Sequence, residues 1–232
     1  MKRFSQNQKV ILGFDVSHGN NSAAISVNDE IIAFTSNDIH ATSNERIFDM
    51  IEGLLSSAKL HLRDLSHIAT SNGPGSFTGI RVGLSTILGL SIALDIKPII
   101  LNNFEIIHSK MQEQSSSYST RGVIIDAARG QFYVQIFGEE VLFETSILDY
   151  DTTAKLLIDA KNIVISGSGA VKFRNLSNVS ILPRFGRSNA KMICKLAYSK
   201  IVNNNVNSDI TPLYIRLPDA KRPTIDSKIH YH

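Results

Sequence analysis

The stretch from His67 to Leu101 constrains the fold more than any other. "HIATS" (67–71) is short and β-forming, "NGPGSFTG" (72–79) is rich in turn formers, "TGIRVGLSTILGLSIALD" (78–95) has helical character, and "KPIIL" (97–101) is again strand-like. A strand, a helix and a strand in so short a span predict a right-handed crossover between parallel strands of an α/β sheet. Along the helix, Gly79, Gly83, Thr86, Leu90 and Ala93 follow spacings of four, three, four and three, forming a stripe of mostly small side chains bordered by Val82, Ile87 and Leu94. Glycine inside a helix costs about 1 kcal/mol relative to alanine. Gly79, Gly83 and Gly89 therefore call for a neighbour that comes close. That neighbour is either internal, a helix over 44–60, or a second protein.

The rest of the chain repeats one order of elements twice. "VILGFDVS" (10–17), "SAAISVN" (22–28) and "IIAFTS" (31–36) read as an antiparallel meander, separated by His18-Gly19-Asn20-Asn21 and Asn28-Asp29-Glu30. Thr42 and Glu45 have capping-box spacing ahead of Ile47, Ile51, Leu54, Leu55 and Ala58, which share one helical face. After a helix near "NFEIIHSKMQEQ" and the connector "SSSYST", the strands "RGVIIDAARG", "QFYVQIFG" and "EEVLFETS" form a second meander. The helix "TTAKLLIDAK", the strand "NIVISG", the turn "SGA" and the helix "NAKMICKLAYSKIV" follow. This internal duplication predicts a first lobe over 1–103, with helices 44–60 and 77–95, and a smaller second lobe over 104–186. A C-terminal helix and segment (187–216) return toward the first lobe, and a mobile tail spans 217–232.

Composition narrows the chemistry. With 232 residues, 43% apolar and 19% charged, the chain is globular, and its net charge of +3 is too scattered to require a nucleic-acid partner. The one cysteine, Cys194, excludes an intramolecular disulfide and lies on a helical pattern with Ile193, Leu196, Ala197 and Ile201, which predicts a buried, inert thiol. The basic start "MKR" precedes too short an apolar run for a signal peptide, and Val82–Leu94 is shorter than the roughly 20 residues of a membrane span. A soluble cytoplasmic protein is the expectation. No two of His18, His40, His61, His67, His108, His230 and His232 lie four apart, so no helical pair of histidines is available to a metal. "GPGSFTGIR" lacks the lysine of a phosphate-binding loop, and Pro74 removes a backbone amide. It reads as a stiff bend into a helix capped by Ser76 or Thr78, with an anion at the helix start, near Arg81, as a lesser alternative.

"DVSHGNNSAAISVN" resembles the opening hairpin of the actin, sugar kinase and heat-shock ATPase superfamily. "SNGPGSFTGIRVGLS", "IDAARGQFYVQIF", "ISGSGA" and "TPLYIRLPDA" resemble the TsaB family, in that family's order, over nearly the whole chain to about residue 220. The resemblance implies a two-lobed actin-like (ribonuclease H-like) duplicated α/β fold without catalytic activity or a cofactor of its own. It implies a subunit required for threonylcarbamoyl transfer to adenosine in tRNA, binding a TsaD-type catalytic paralogue and working with a TsaE-type ATPase. The older "glycoprotease" label of the wider family finds no metal-binding histidines here. Family members pair through the first two helices of lobe one, with the paralogue or with themselves, which assigns the interface to Ile47, Ile51, Leu54, Gly79, Val82, Gly83, Thr86 and Leu90. A histidine common near the start of the first helix is displaced here to His40.

The superfamily's nucleotide positions fall on Asp15, Ser17 and Gly19 in the first hairpin, Asp126 in the second, and Gly167 and Gly169 in "SGSGA". The competing reading is that Asp15 and Asp126 form turns with their own backbone and that "SGSGA" is a plain turn, with Ser168 where the family often has an acid. ATP in the cleft thus stays open. The alternative function is an ATP-dependent phosphotransferase or carbamoyl-type transferase centred on Asp15 and Asp126. A homodimeric binding module without a tRNA role is a third reading, and direct tRNA contact is undecided.

Overall fold

The computed structural model describes residues 5, 7–18, 21–37, 47–115, 117–139, 141–160, 162–182 and 186–216. Gly19, His40, the expected capping box at Thr42 and Glu45, and the 217–232 tail lie outside them. Strands β1 (Val10–Asp15), β2 (Asn21–Val27) and β3 (Glu30–Asn37) form the predicted meander. Helix α1 (Ile47–Ser57), β4 (His67–Ser71), α2 (Phe77–Leu94) and β5 (Pro98–Leu101) complete the first sheet unit. The second unit follows α3 (Asn103–Gln114) with β6 (Thr120–Asp126), β7 (Gln131–Phe137), β8 (Val141–Asp149), α4 (Tyr150–Asp159), β9 (Ile163–Ser166) and β10 (Val179–Ile181). Helix α5 (Ala190–Val202) comes last among the regular elements.

The duplication is visible in the strand orders, β3-β2-β1-β4-β5 and, read from the other edge, β8-β7-β6-β9-β10. In each sheet the central strand pairs antiparallel with the meander on one side and parallel with the crossover strand on the other. β10 was not expected from sequence, because a three-residue strand offers no periodicity to read.

Three apolar clusters organise the packing. Leu12, Phe14 and Ile25 face α1 and α2, while Ile124, Phe132 and Val134 face α4. Between the two sheets lies a third cluster, joining Ile11, Ala24 and Ala69 of the first sheet to Phe104 and Ile107 of α3, Ile193 and Ala197 of α5, and Val123 and Ile125 of β6. Helix α5 therefore returns to cover the open face of the first sheet. A Cβ on Gly13 would lie 2.7 Å from Cys194 Sγ and 3.0 Å from the Ala190 carbonyl oxygen, so glycine is what lets α5 approach β1. Lys200 adds an ion pair to Glu105 at 2.9 Å, tying α5 to α3.

Helix α2 is seated through its glycines. A Cβ on Gly79 would lie 2.0 Å from the Val16 carbonyl oxygen, and one on Gly75 would lie 2.4 Å from that of Ser17. The Ser76 amide donates to the Ser17 carbonyl at 2.7 Å, and Ser76 Oγ caps the helix by accepting from the Gly79 amide. By length and mean hydropathy, 1.6, this helix alone among the described ones could cross a membrane. Ile80, Leu84, Ile87 and Leu90 are instead buried in the first lobe's core.

The two kinds of helical glycine separate in a stability measurement. Gly79→Ala should lower the urea-unfolding free energy by about 3 kcal/mol, because the added methyl meets backbone that cannot yield. Gly89, with nothing within 4 Å of its Cβ position, should gain up to about 1 kcal/mol as alanine.

Candidate functional site

The first-hairpin carboxylate is enclosed by hydroxyls. Asp15 is buried at the end of β1; its Oδ1 accepts from the Ser17 amide at 2.8 Å and from Ser17 Oγ at 2.6 Å, with Ser71 Oγ at 3.5 Å. Its Oδ2 accepts from Ser188 Oγ, which comes from the turn before α5. Ser17 Oγ in turn accepts from Asn103 Nδ2 at 3.0 Å, and the same Nδ2 donates to the Pro74 carbonyl at 2.8 Å. A charged group taken out of water needs such donors. Here they pin the hairpin, the cis Gly73–Pro74 loop, α3 and the α5 turn to one carboxylate.

The second half of the expected nucleotide set also has local work. Asp126 Oδ1 accepts from the Ala128 amide at 2.8 Å, the turn-forming bond expected as the competing reading. Its own amide donates to Ser168 Oγ at 3.0 Å. Gly167 adopts φ +113°, and a Cβ there would lie 2.2 Å from the Ile124 carbonyl oxygen; one on Gly169 would lie 2.7 Å from Phe132 Cδ1. Both glycines are thus required by packing on β6 and β7. Among the described residues no three His, Cys, Asp or Glu side chains gather as a metal set.

A cavity of about 600 Å³ lies in the cleft between the lobes, lined by Gly75 and Phe77 of the α2 entrance, Asp126 and Ala128 of the second hairpin, and Tyr133 and Tyr214. One wall is an extended C-terminal strap, residues 207–216, whose contacts sequence patterning did not specify. The Asn207 carbonyl accepts from the Ile100 amide at 2.8 Å, and Asn72 brackets the strap by donating to the Thr211 carbonyl and accepting from the Leu213 amide, each at 2.9 Å. Tyr214 stacks on Phe77 with centroids 5.2 Å apart. Arg216 then donates to Gln131 Oε1 at 2.7 Å, so the strap touches both lobes.

The residues expected at the interface lie mostly inside the first lobe. Ile47, Ile51, Leu54, Gly79, Gly83, Thr86 and Leu90 are buried within the first lobe, and Val82 is partly buried against the same cluster. The small-residue stripe is indeed a close-packing surface. Its neighbour, though, is the Val16–Ser17 backbone and the β4 side chain Thr70. The outward stripe of α2 is Phe77, Arg81, Ser85, Leu88 and Ile92, with Gly89 beside it, and α1 contributes Phe48 and Gly53. Ile92 is 75% and Phe48 53% exposed, large values for apolar side chains on neighbouring helices. Gly53 and Gly89 have nothing within 4 Å of their Cβ positions, so no internal contact accounts for them. A groove of about 470 Å³ lies beside α1, lined by Phe48 and Glu52 of that helix, Leu60 and Leu62 of the segment after it, and the buried Leu90 of α2.

Burial sets the titration of several side chains. Cys194 is held up at about 12, mainly by burial, and its Sγ lies 3.5 Å from the Ala24 carbonyl; the inert-thiol expectation is met. His108 stacks on Phe137 with centroids 3.9 Å apart, and burial, aided by Arg121, lowers it to about 4. His18 is lowered too, by burial against the opposing pull of Asp15 and with a further contribution from Arg187.

Residues 37–219 match the family model described as TsaD, tRNA N6-adenosine threonylcarbamoyltransferase. The chain is 29% identical over 150 residues to the tRNA threonylcarbamoyladenosine biosynthesis protein TsaB of Buchnera aphidicola subsp. Schizaphis graminum, covering 64% of this chain and 68% of the relative. To the TsaB protein of Buchnera aphidicola subsp. Acyrthosiphon pisum it is 29% identical over 227 residues, with 88% and 97% covered. A crystal structure from Pseudomonas aeruginosa, of an uncharacterized protein with similarity to peptidase YeaZ, superposes with a TM-score of 0.76 at 19% identity, covering 90% of this chain and all of that one, which shows a shared fold.

The pH dependence of stability follows from His108. Between its unfolded value of 6.5 and its folded value of about 4, the unfolded chain binds a proton that the folded chain refuses. Stability should therefore fall as pH drops through this window and be unaffected by His108 above it. Urea midpoints measured from pH 7 to pH 4.5 should fall less steeply in His108→Phe than in the unsubstituted protein.

Proposed function

The chain belongs to the TsaD, tRNA N6-adenosine threonylcarbamoyltransferase, family, and we propose that within it this protein is a non-catalytic, TsaB-type subunit that docks on a TsaD-type catalytic paralogue. Its work is in tRNA threonylcarbamoyladenosine biosynthesis, the process named for its TsaB relatives. The observation that carries the non-catalytic reading is the enclosure of Asp15. A carboxylate whose two oxygens already accept from Ser17 and Ser188 is committed to holding the hairpin, and a phosphate or metal would have to displace those bonds. The glycines that an adenosine would need for close approach are filled by Ile124 and Phe132.

The docking reading rests on the outward face of α1 and α2. Leu88 and Ile92 of α2 and Phe48 of α1 are exposed apolar side chains, and Gly53 and Gly89 give a partner helix room to approach the backbone. The same face serves a homodimer in the absence of the paralogue. A TsaE-type ATPase is the third member of the assembly, ATP is handled outside this chain's cleft, tRNA is the substrate of the complex, and the location is the cytoplasm.

In a strain depleted of the protein, threonylcarbamoyladenosine should disappear from hydrolysed tRNA and return with the unsubstituted gene. Leu88→Glu combined with Ile92→Glu should abolish co-purification with the paralogue and fail to restore the nucleoside, with the unfolding midpoint unchanged. Asp15→Ala should cost about 1–3 kcal/mol of stability through its orphaned donors. The assembled complex at a temperature where this variant is folded should keep its transfer rate. Loss of rate in the folded complex, with micromolar ATP binding by the isolated protein, would establish the enzyme reading centred on Asp15 and Asp126.

A further inference from the structure

Arg81 stands at the cleft end of the outward α2 stripe, and its guanidinium is unusually constrained for an exposed side chain. Its Cζ lies 3.7 Å from the centroid of the Phe77 ring and 5.9 Å from that of Tyr214. Its Nε donates to Tyr214 Oη at 2.9 Å. Phe77 and Tyr214 are themselves stacked and about half exposed, so an aromatic pair supports the cation on the protein side. Among the described residues neither Nη group has a hydrogen-bond or ion-pair partner, since the only polar contact of the side chain is the one through Nε.

An arginine normally loses several rotatable bonds' worth of freedom when it pairs. Here the stack and the Nε bond have already restricted those bonds, while the two-pronged edge that matches a carboxylate stays open. Arginine and tyrosine held in place beside apolar surface are the residues that dominate binding energy at protein interfaces. Arg81 continues the line of Ser85, Leu88 and Ile92 along one helix side, so whatever covers those residues also meets Arg81.

Building on the docking reading above, we propose that Arg81 is the polar anchor of the docking face and forks onto a carboxylate of the TsaD-type paralogue, with Tyr214 of the C-terminal strap acting as its positioning residue. A carboxylate fits better than a nucleic-acid phosphate. Leu88 and Ile92, exposed and apolar on the same helix side as Arg81, match a protein surface and offer nothing to a polyanion. The strap thereby links the cleft to the interface: it walls the cavity, reaches lobe two through Arg216, and fixes Arg81 through Tyr214.

Titration calorimetry with the purified TsaD-type subunit of the same organism tests this. Arg81→Ala should weaken binding about tenfold or more. Arg81→Lys should recover only a minor part, because an ammonium neither forks nor stacks in the same way. Tyr214→Phe, which keeps the ring and removes the Nε acceptor, should weaken binding about threefold. Affinity should fall with salt more steeply for the unsubstituted protein than for Arg81→Ala. Unchanged melting temperatures identify these as contact effects. Wild-type affinity in Arg81→Ala, alongside lost binding in Leu88→Glu, would overturn the anchor while leaving the docking face intact. Wild-type affinity in Leu88→Glu as well would bring down the docking reading and the anchor together. Weaker binding of tRNA by Arg81→Ala with undiminished subunit affinity would assign the fork to phosphate and overturn the carboxylate.

Discussion

Backbone against backbone, with no side chain between, is the contact on which the first lobe is built. The entrance of α2 lies on the carbonyls of Val16 and Ser17 at distances that only Gly75 and Gly79 permit, and the Ser76 amide closes the contact by donating to Ser17. This fixes the rotation of α2 about its axis. Once Gly79 faces the hairpin, Gly83, Thr86 and Leu90 must face the sheet, and Phe77, Arg81, Leu88 and Ile92 must face outward. The inner and outer faces of the helix are thus consequences of one close approach at its first turn.

Much of the architecture was legible because it rests on periodicity. Alternating strands and the crossover helix announced two similar sheets, and the Cys194 pattern announced a buried thiol. The glycine stripe was also legible as a sign of close packing. What the sequence could not say was which surface packs there, because a glycine needed beside the Val16 carbonyl and one needed beside a foreign helix look the same in a string of letters. Gly89 carried the opposite meaning, and only the open space around it reveals that. What the strap touches was not legible, for a different reason. Its contacts join Asn72 to Thr211 and Arg81 to Tyr214, pairs far apart in the chain and free of any repeat.

The duplicated lobes show how one topology is put to two ends. In the first lobe the hairpin carboxylate is sealed by serines from three separate segments. In the second, Asp126 stays at the surface and shapes only its own turn. Equivalent positions have been drawn into the framework on one side and left beside the cavity on the other. Likeness of fold to other two-lobed proteins therefore transfers the positions of these carboxylates and not their use.

The return of α5 to the first sheet has a consequence for the order in which the molecule is made. Ile11, Ala24 and Ala69 are synthesised well before the helix that covers them, which carries Ile193 and Ala197. Until those residues leave the ribosome, one face of the first sheet is wet and apolar, a surface that invites chaperones or misassociation. The first lobe is in this sense finished last, and a transcript cut short before Ala190 would yield an exposed sheet face instead of a smaller stable domain.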